Sequence, residues 1–356
     1  MSHEGRSWIS YQALTHAAGE QASARDQDGR FPKSAFEALR RLGVTGRPPL
    51  ASDEAQSLFR ILAAVGRGDL SVARIFEGHV NALLLIRLFG SEAQLEHHAS
   101  LASSGELYGI WNTDVPGEAV ALEDGILRGR KNFASGVEGI NHALVTAQTP
   151  QGRQLVIVST AGLEIDRSWW HPLGMRASGS HVVYFQSTVS TDQQLLGTPG
   201  DYLKEPWFSG GAIRFAAAHV GGMHAILDVV VAHLKKAKRA ENPHQQHRLG
   251  EMGIRVGAAY SWLDHAAKQW SAIGSVSDNE VIASLSAARL AIERSALDVL
   301  ELAERSVGAA GMLAPHALER LIRDLRTYLR QPNPDAALAT VGAAVASGIW
   351  DPSRTC

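Results

Sequence analysis

The chain of 356 residues has one cysteine, Cys356, so it can form no intrachain disulfide and no thiolate cage for a metal. That usage suits a reducing compartment. The polar start, Met1-Ser2-His3-Glu4-Gly5-Arg6, has no apolar core, and together these features predict a cytoplasmic protein. An excess of one charge is also lacking. The 34 Lys and Arg against 36 Asp and Glu leave −2, which gives no global basic field for nucleic acid. Long apolar runs are missing as well: 80–88 and 212–231 are short or interrupted by Arg and His, so no membrane span is expected. Internal repeats and low-complexity tracts are absent. What remains is an ordinary globular composition, 45% hydrophobic and 20% charged. Its length allows roughly two or three domains.

Periodicity divides the chain into three zones. Residues 1–104 have helical spacing, with Ser52-Asp53-Glu54 opening one helix and Gly90 separating two others. Residues 105–205 change period. Leu107–Asn112, Leu155–Ser159 and Val182–Phe185 are strand-like, and Asp124-Gly125 supplies the positive φ of a tight hairpin turn. Residues 206–356 return to long helices rich in Ala and Gly, which allow close approach in an antiparallel bundle. The expected fold class is α+β, mostly α. It comprises an N-terminal helical domain, a small central β-barrel or sheet domain and a C-terminal four-helix bundle.

Five segments occur in a telling order. They are Phe31-Pro32 with Leu39–Val44; Asp69–Arg74 with His79; Trp111-Asn112-Thr113 with Lys131–Gly136; Leu173-Gly174-Met175-Arg176 running to Phe185; and Gly308–Met312 with Glu319-Arg320 and Arg323-Asp324. Together they resemble the acyl-CoA dehydrogenases over nearly the whole chain. The resemblance implies FAD as cofactor, a small-molecule or acyl-thioester substrate, and a homodimer or homotetramer that shares the cofactor across an interface. Trp111, Asn112 and Thr113 would lie at the isoalloxazine, Phe133 would flank the ring, and Ser135 would bond flavin N5. Arg239 and Arg248 would meet the pyrophosphate. The Gly308–Gly311 turn would let a neighbouring subunit's cofactor approach the backbone. His79 would either face the flavin or cap an apolar face. Arg323 and Asp324 would form an ion pair or cap within the bundle.

The departures are as informative. The Thr-Glu-Pro and Gly-Ser-Asp signatures are replaced after Trp111 by Asn112–Gly117, and Arg305 stands where the family commonly has Gln. The family's two locations for a catalytic Glu fall near Gly211–Arg214 and Gln331–Asn333, and neither holds a carboxylate. Removing a weakly acidic α-proton requires a base. The candidates in reach are Asp335, otherwise a dipole-favoured residue at a helix start, and His219 or His224 on the long helix after the β-zone. His219 and His224 are five residues apart, His244 and His247 lie in a polar stretch, and no metal site is expected. Lys235-Lys236-Ala237-Lys238-Arg239 is either a solvated helix end or a phosphate contact.

The leading expectation is an FAD-dependent oxidoreductase that moves hydride from substrate to flavin N5. A flavin monooxygenase or oxidase on the same fold is the alternative, and a non-catalytic scaffold is the second.

Overall fold

The computed structural model describes residues 10–189 and 193–355; the Met1–Arg6 run and Cys356 lie outside them. Six helices come first: α1 (Tyr11–Gly19), α2 (Ala22–Asp28), α3 (Lys33–Arg41), α4 (Ala55–Gly68), α5 (Leu70–Phe89) and α6 (Glu92–Ser104). Helix α5 begins where Asp69 accepts hydrogen bonds from the Ser71 and Val72 amides at 2.7 and 3.3 Å. The same carboxylate binds Arg25 of α2 at 3.0 Å, so one buried side chain caps a helix and fixes a second. Gly90 ends α5. Ser91 and Gln94 then form a reciprocal capping box that starts α6.

The strands are β1 (Tyr108–Trp111), β2 (Ala121–Glu123), β3 (Ile126–Ala134), β4 (His142–Thr149), β5 (Gly152–Ser159), β6 (Glu164–Asp166), β7 (His181–Val189) and β8 (Leu195–Leu196). The sheet runs β6-β7-β3-β2-β4-β5-β8, and β1 adds parallel to β4. Asp124 (φ 50°) and Gly125 (φ 72°) make the β2–β3 turn, as the Asp-Gly pair predicts. Strand β3 shifts register against β7 between Lys131 and Ala134. This bulge holds Phe133 at φ 52° and turns its ring outward.

Helices α7 (Trp207–Gly210), α8 (Ala212–Lys236), α9 (Pro243–Ser271), α10 (Asp278–Val307), α11 (Ala317–Tyr328) and α12 (Pro334–Ala346) complete the chain. The expected bundle is present as α8–α11, but α8 also packs along α4, and one continuous apolar core includes Leu14, Trp111 and Leu329. Glycine permits that crossing. A Cβ on Gly221 would sit 2.0 Å from the Ala63 carbonyl oxygen, and one on Gly66 would sit 2.4 Å from that of Ala218. The stretch Trp207–Lys236 is long and apolar enough to cross a membrane by length and composition, which sequence inspection did not predict. In the fold, 61% of its most apolar window is buried in the core.

Candidate active site

A cavity of about 700 Å³ opens where the sheet meets α5, α8, α10 and α11. Its sheet-side wall carries Asn112, Thr113, Phe133, Ser135, Ser178 and Ser180. Strand alternation decides which residues of the first motif face it. Ile110 and Asn112 line the cavity, while Trp111 between them points the other way and is 1% exposed. Trp111 is therefore a core residue, and its indole N–H reaches the Ser135 carbonyl oxygen at 3.4 Å. The Ser135 hydroxyl is 2.8 Å from that of Ser180, which is 2.9 Å from that of Ser178. Phe133 is 48% exposed and meets Trp169 edge-on at 4.9 Å.

Lys131 holds this wall in place. Its fully buried ammonium donates to the Asn112 carbonyl oxygen (3.1 Å) and the Thr146 hydroxyl (2.9 Å) and pairs with Asp114. Burial lowers its pKa, and Asp114 opposes that shift. A second fixed point joins the Gly-Met-Arg segment to α11. The Gly174 amide donates to the Thr327 hydroxyl at 3.0 Å and the Met175 amide to Asp324 at 2.6 Å. A Cβ on Gly174 would lie 2.2 Å from the Arg323 carbonyl oxygen. Two separate motifs of the sequence are thus two halves of one contact. Asp324 pairs with Arg320 at 3.0 Å, and burial pushes its carboxyl up to about 6. Arg323 binds Asp26 of α2 at 2.7 Å and also Glu319, so both residues tie the bundle to the rest of the chain.

The helix-side wall contains groups that the sequence argument did not nominate. Arg74 and Glu77 form an ion pair on α5, Asn81 donates to Glu77, and Arg214 of α8 donates to Asn81. Tyr328 and Arg289 complete this wall. Glu77 is the only carboxylate among the lining residues. Burial raises the Tyr328 phenol well above its ordinary range and pushes Tyr202, at the same cavity, up to about 12. One signal for this cluster was available. Arg74, Glu77 and Asn81 fall at helical spacing inside a helix that is otherwise buried on nearly every face.

The three candidate bases lie elsewhere. His219 is 3% exposed and stands behind Tyr328, with ring centroids 4.6 Å apart. Burial depresses its pKa to about 3, so it stays neutral. His224 faces α9, where Nδ1 is 3.0 Å from the Tyr260 hydroxyl, and it does not line the cavity. Asp335 is exposed. Asn333, at φ 56°, turns the chain so that Asn333 and Ala336 line the cavity and Asp335 does not. His79 neither meets the cavity nor caps a loose face. Its Nδ1 accepts from the Tyr108 amide (3.1 Å), so Nε2 carries the proton and donates to the Thr45 carbonyl oxygen (2.7 Å).

The remaining cofactor candidates gather in a second place. Arg239 and Arg248 come within 3.0 and 3.3 Å of the Gln245 side-chain amide, whose oxygen accepts from both when the amide is turned toward them. Gln245 lies against the Ser306 carbonyl, just before Gly308. Gly308 needs its φ of 75°, and Gly311 lies tightly against the Leu318 side chain, where a Cβ would be 2.9 Å away. None of these four lines the cavity. Lys235, Lys236 and Lys238 are exposed at the end of α8. Among the described residues, no group of three or more His, Cys, Asp or Glu could hold a metal.

Residues 201–329 match the family model of the acyl-CoA dehydrogenase C-terminal domain. The chain is 25% identical over 351 residues to the "Putative acyl-CoA dehydrogenase YdbM" of Bacillus subtilis, covering 89% of this chain and 90% of that one. It is 23% identical over 328 residues to a dibenzothiophene monooxygenase of Mycolicibacterium goodii, covering 79% and 78%. Among solved structures, TdsC from Paenibacillus sp. A11-2 with FMN and indole superposes with a TM-score of 0.84 at 19% identity, covering 95% and 96%. That likeness shows the fold.

Proposed function

We propose that this chain, which belongs to the acyl-CoA dehydrogenase superfamily, is a flavin-dependent oxidoreductase that adds oxygen to a small organic substrate rather than dehydrogenating an acyl-CoA. The observation that carries this reading is the cavity's charge pattern. Among the described residues its one lining carboxylate, Glu77, is bound to Arg74 and Asn81, and no unpaired carboxylate or imidazole lines the space. The monooxygenase relative and the FMN-bound fold neighbour support it.

The residues present suit a flavin ring. A cavity of about 700 Å³ is within the usual size of cofactor sites. Its sheet-side wall offers an outward-turned aromatic, Phe133, and the hydroxyl chain Ser135–Ser180–Ser178. Ser135 would hydrogen-bond the ring edge, and Phe133 with Trp170 would flank it. A reduced flavin, when bound, supplies the electrons that activate oxygen. The aromatic lining would keep water from the reacting centre. The ring is common to FMN and FAD. Arg239 and Arg248, each with N–H groups beyond the one given to Gln245, would hold the ADP half of FAD if a homodimer or homotetramer brought this surface to a neighbour's cavity.

The test is reconstitution with FMN and with FAD, desalting, and spectroscopy. We expect retained flavin bands, oxygenated product when the reduced holoprotein meets oxygen and substrate, and no anaerobic bleaching by butyryl-CoA. Ser135→Ala and Phe133→Ala should each weaken flavin binding by about 0.5–1.5 kcal/mol, the net worth of a typical hydrogen bond or ring contact. Anaerobic bleaching by butyryl-CoA would instead favour dehydrogenation with Glu77 as base. Failure to retain either flavin would favour the scaffold reading.

A further inference from the structure

We infer that the substrate carries a carboxylate-like anionic group on an apolar, ring-containing body, held by Arg214 and Arg289. This rests on reading the cavity as a flavin enzyme's active site.

The argument begins with a charge count at the wall. Arg74 and Glu77 neutralise one another. Arg330 also lines the cavity but is exposed, where water can solvate it. Arg214 and Arg289 are only 5% and 8% exposed. Glu77 acts on Arg214 across the shared Asn81, and Glu293 is the carboxylate that acts on Arg289; among the described residues neither arginine is in an ion pair. Two buried cations thus border a cavity that has no free anion of its own. Burying an uncompensated charge is unfavourable, so such a site is completed by a counter-charge.

Their hydrogen bonding within the fold is incomplete. Arg214 Nη1 and Arg289 Nε are buried without an acceptor, while Arg289 Nη2 donates to the Pro332 carbonyl oxygen at 2.7 Å. Each guanidinium also lies over an aromatic ring, Arg214 over Trp270 at 5.1 Å and Arg289 over Phe215 at 5.0 Å. Stacking fixes the planes and leaves the N–H edges, which match a planar carboxylate. Burial pulls Arg214 down to about 10 and Arg289 in the same direction, as a shortage of counter-charge would. Around them, Leu85, Trp207, Phe208 and Phe215 form an apolar, largely aromatic lining. The two arginines stand on α8 and α10, not on the strands that carry Phe133 and Ser135.

Calorimetric titration of the holoprotein with benzoate and with the neutral isostere benzamide, at fixed ionic strength, tests this. Benzoate should bind at least about tenfold more tightly, and Arg289→Gln should remove that preference while leaving benzamide and flavin retention unchanged. Arg214→Lys, which keeps charge but loses the fork, should weaken benzoate by about threefold to tenfold. Equal affinity for the two probes would overturn the inference, as would full benzoate binding by Arg289→Gln. Flavin loss in Arg289→Gln would assign the guanidinium to the cofactor's phosphate and overturn it too. The apoprotein separates the two proposals. Benzoate preference without flavin retention would sustain the anion site and sink the flavin reading.

Discussion

The two walls of the cavity bury polar groups under different terms. On the sheet side the buried cation has its partners: Lys131 serves Asn112, Asp114 and Thr146, and nearby His79 uses both ring nitrogens on backbone groups, while Asn132 Oδ1 and His181 Nδ1 stay buried without one. On the helix side Arg214, Arg289 and His219 each keep a buried nitrogen with no partner. Folding satisfies Lys131 and His79 by itself. Of the second set, Arg214 and Arg289 border the cavity, where a ligand can supply acceptors, while His219 stands behind Tyr328. Lys131 and His79 are thus positioning residues, and Arg214 and Arg289 are binding candidates.

The sharpest way to break this contrast is to remove one cation from each side. Lys131→Met strands Asp114, a carbonyl and a hydroxyl, and should cost about 3–5 kcal/mol. Arg214→Met removes a cation that lacks full pairing, and should cost about 1 kcal/mol or less. Urea unfolding measures both, and comparable losses would erase the distinction between the walls.

A smaller effect comes from pH. Burial lowers the folded pKa of His79 to about 4 and of His219 to about 3, both from 6.5. A depressed imidazole contributes stability that is whole above pH 6.5 and is lost as pH falls toward those values. At pH 5 each should have lost roughly 2 kcal/mol relative to pH 7.5. Asp324 acts in the other direction. Its folded pKa, raised to about 6 from 3.8, favours the folded state as pH falls, by about 1 kcal/mol over the same interval. Stability should therefore decline from pH 7.5 to 5, and His219→Gln should flatten the slope by one imidazole's share. An unchanged slope in that variant would mean that His219 is not buried neutral behind Tyr328. The least effect belongs to His224→Ala, outside both walls. Flavin content and turnover should match the parent, and stability should shift by about 0.5 kcal/mol. A large loss of turnover would return His224 to the active site.

Local chemistry made much of this fold legible. Asp124-Gly125 dictates its turn, the Ser91–Gln94 box and Gly90 mark a helix junction, and Phe133 and Ser135 line one cavity. The errors have a common cause. Trp111 was grouped with Asn112, although strand alternation sends neighbours to opposite faces. His219 and His224 share a cavity-bordering helix, but their faces meet α11 and α9, a choice that helical spacing alone leaves open. The helix-side wall was hidden because its members come from distant parts of the chain. Arg214 and Asn81 are 133 residues apart and meet only through the packing of α5 on α8. Periodicity reports that a helix is buried, but not which distant side chain it is buried against.

The backbone of the cavity carries a consequence for how this protein could be altered. Among the described residues, six that are not glycine hold positive φ, and three of them, Phe133, Met175 and Asn333, line the cavity. An L-residue in that region costs on the order of 1–2 kcal/mol, a strain that glycine would relieve. Glycine in place of the exposed Phe133 or Asn333 would relieve it, whereas Met175 is 3% exposed and its loss would open a hole in the core. Each such step would trade a shaped wall for a floppy one, so heat resistance gained at Phe133 or Asn333 would come at the expense of the cavity's shape.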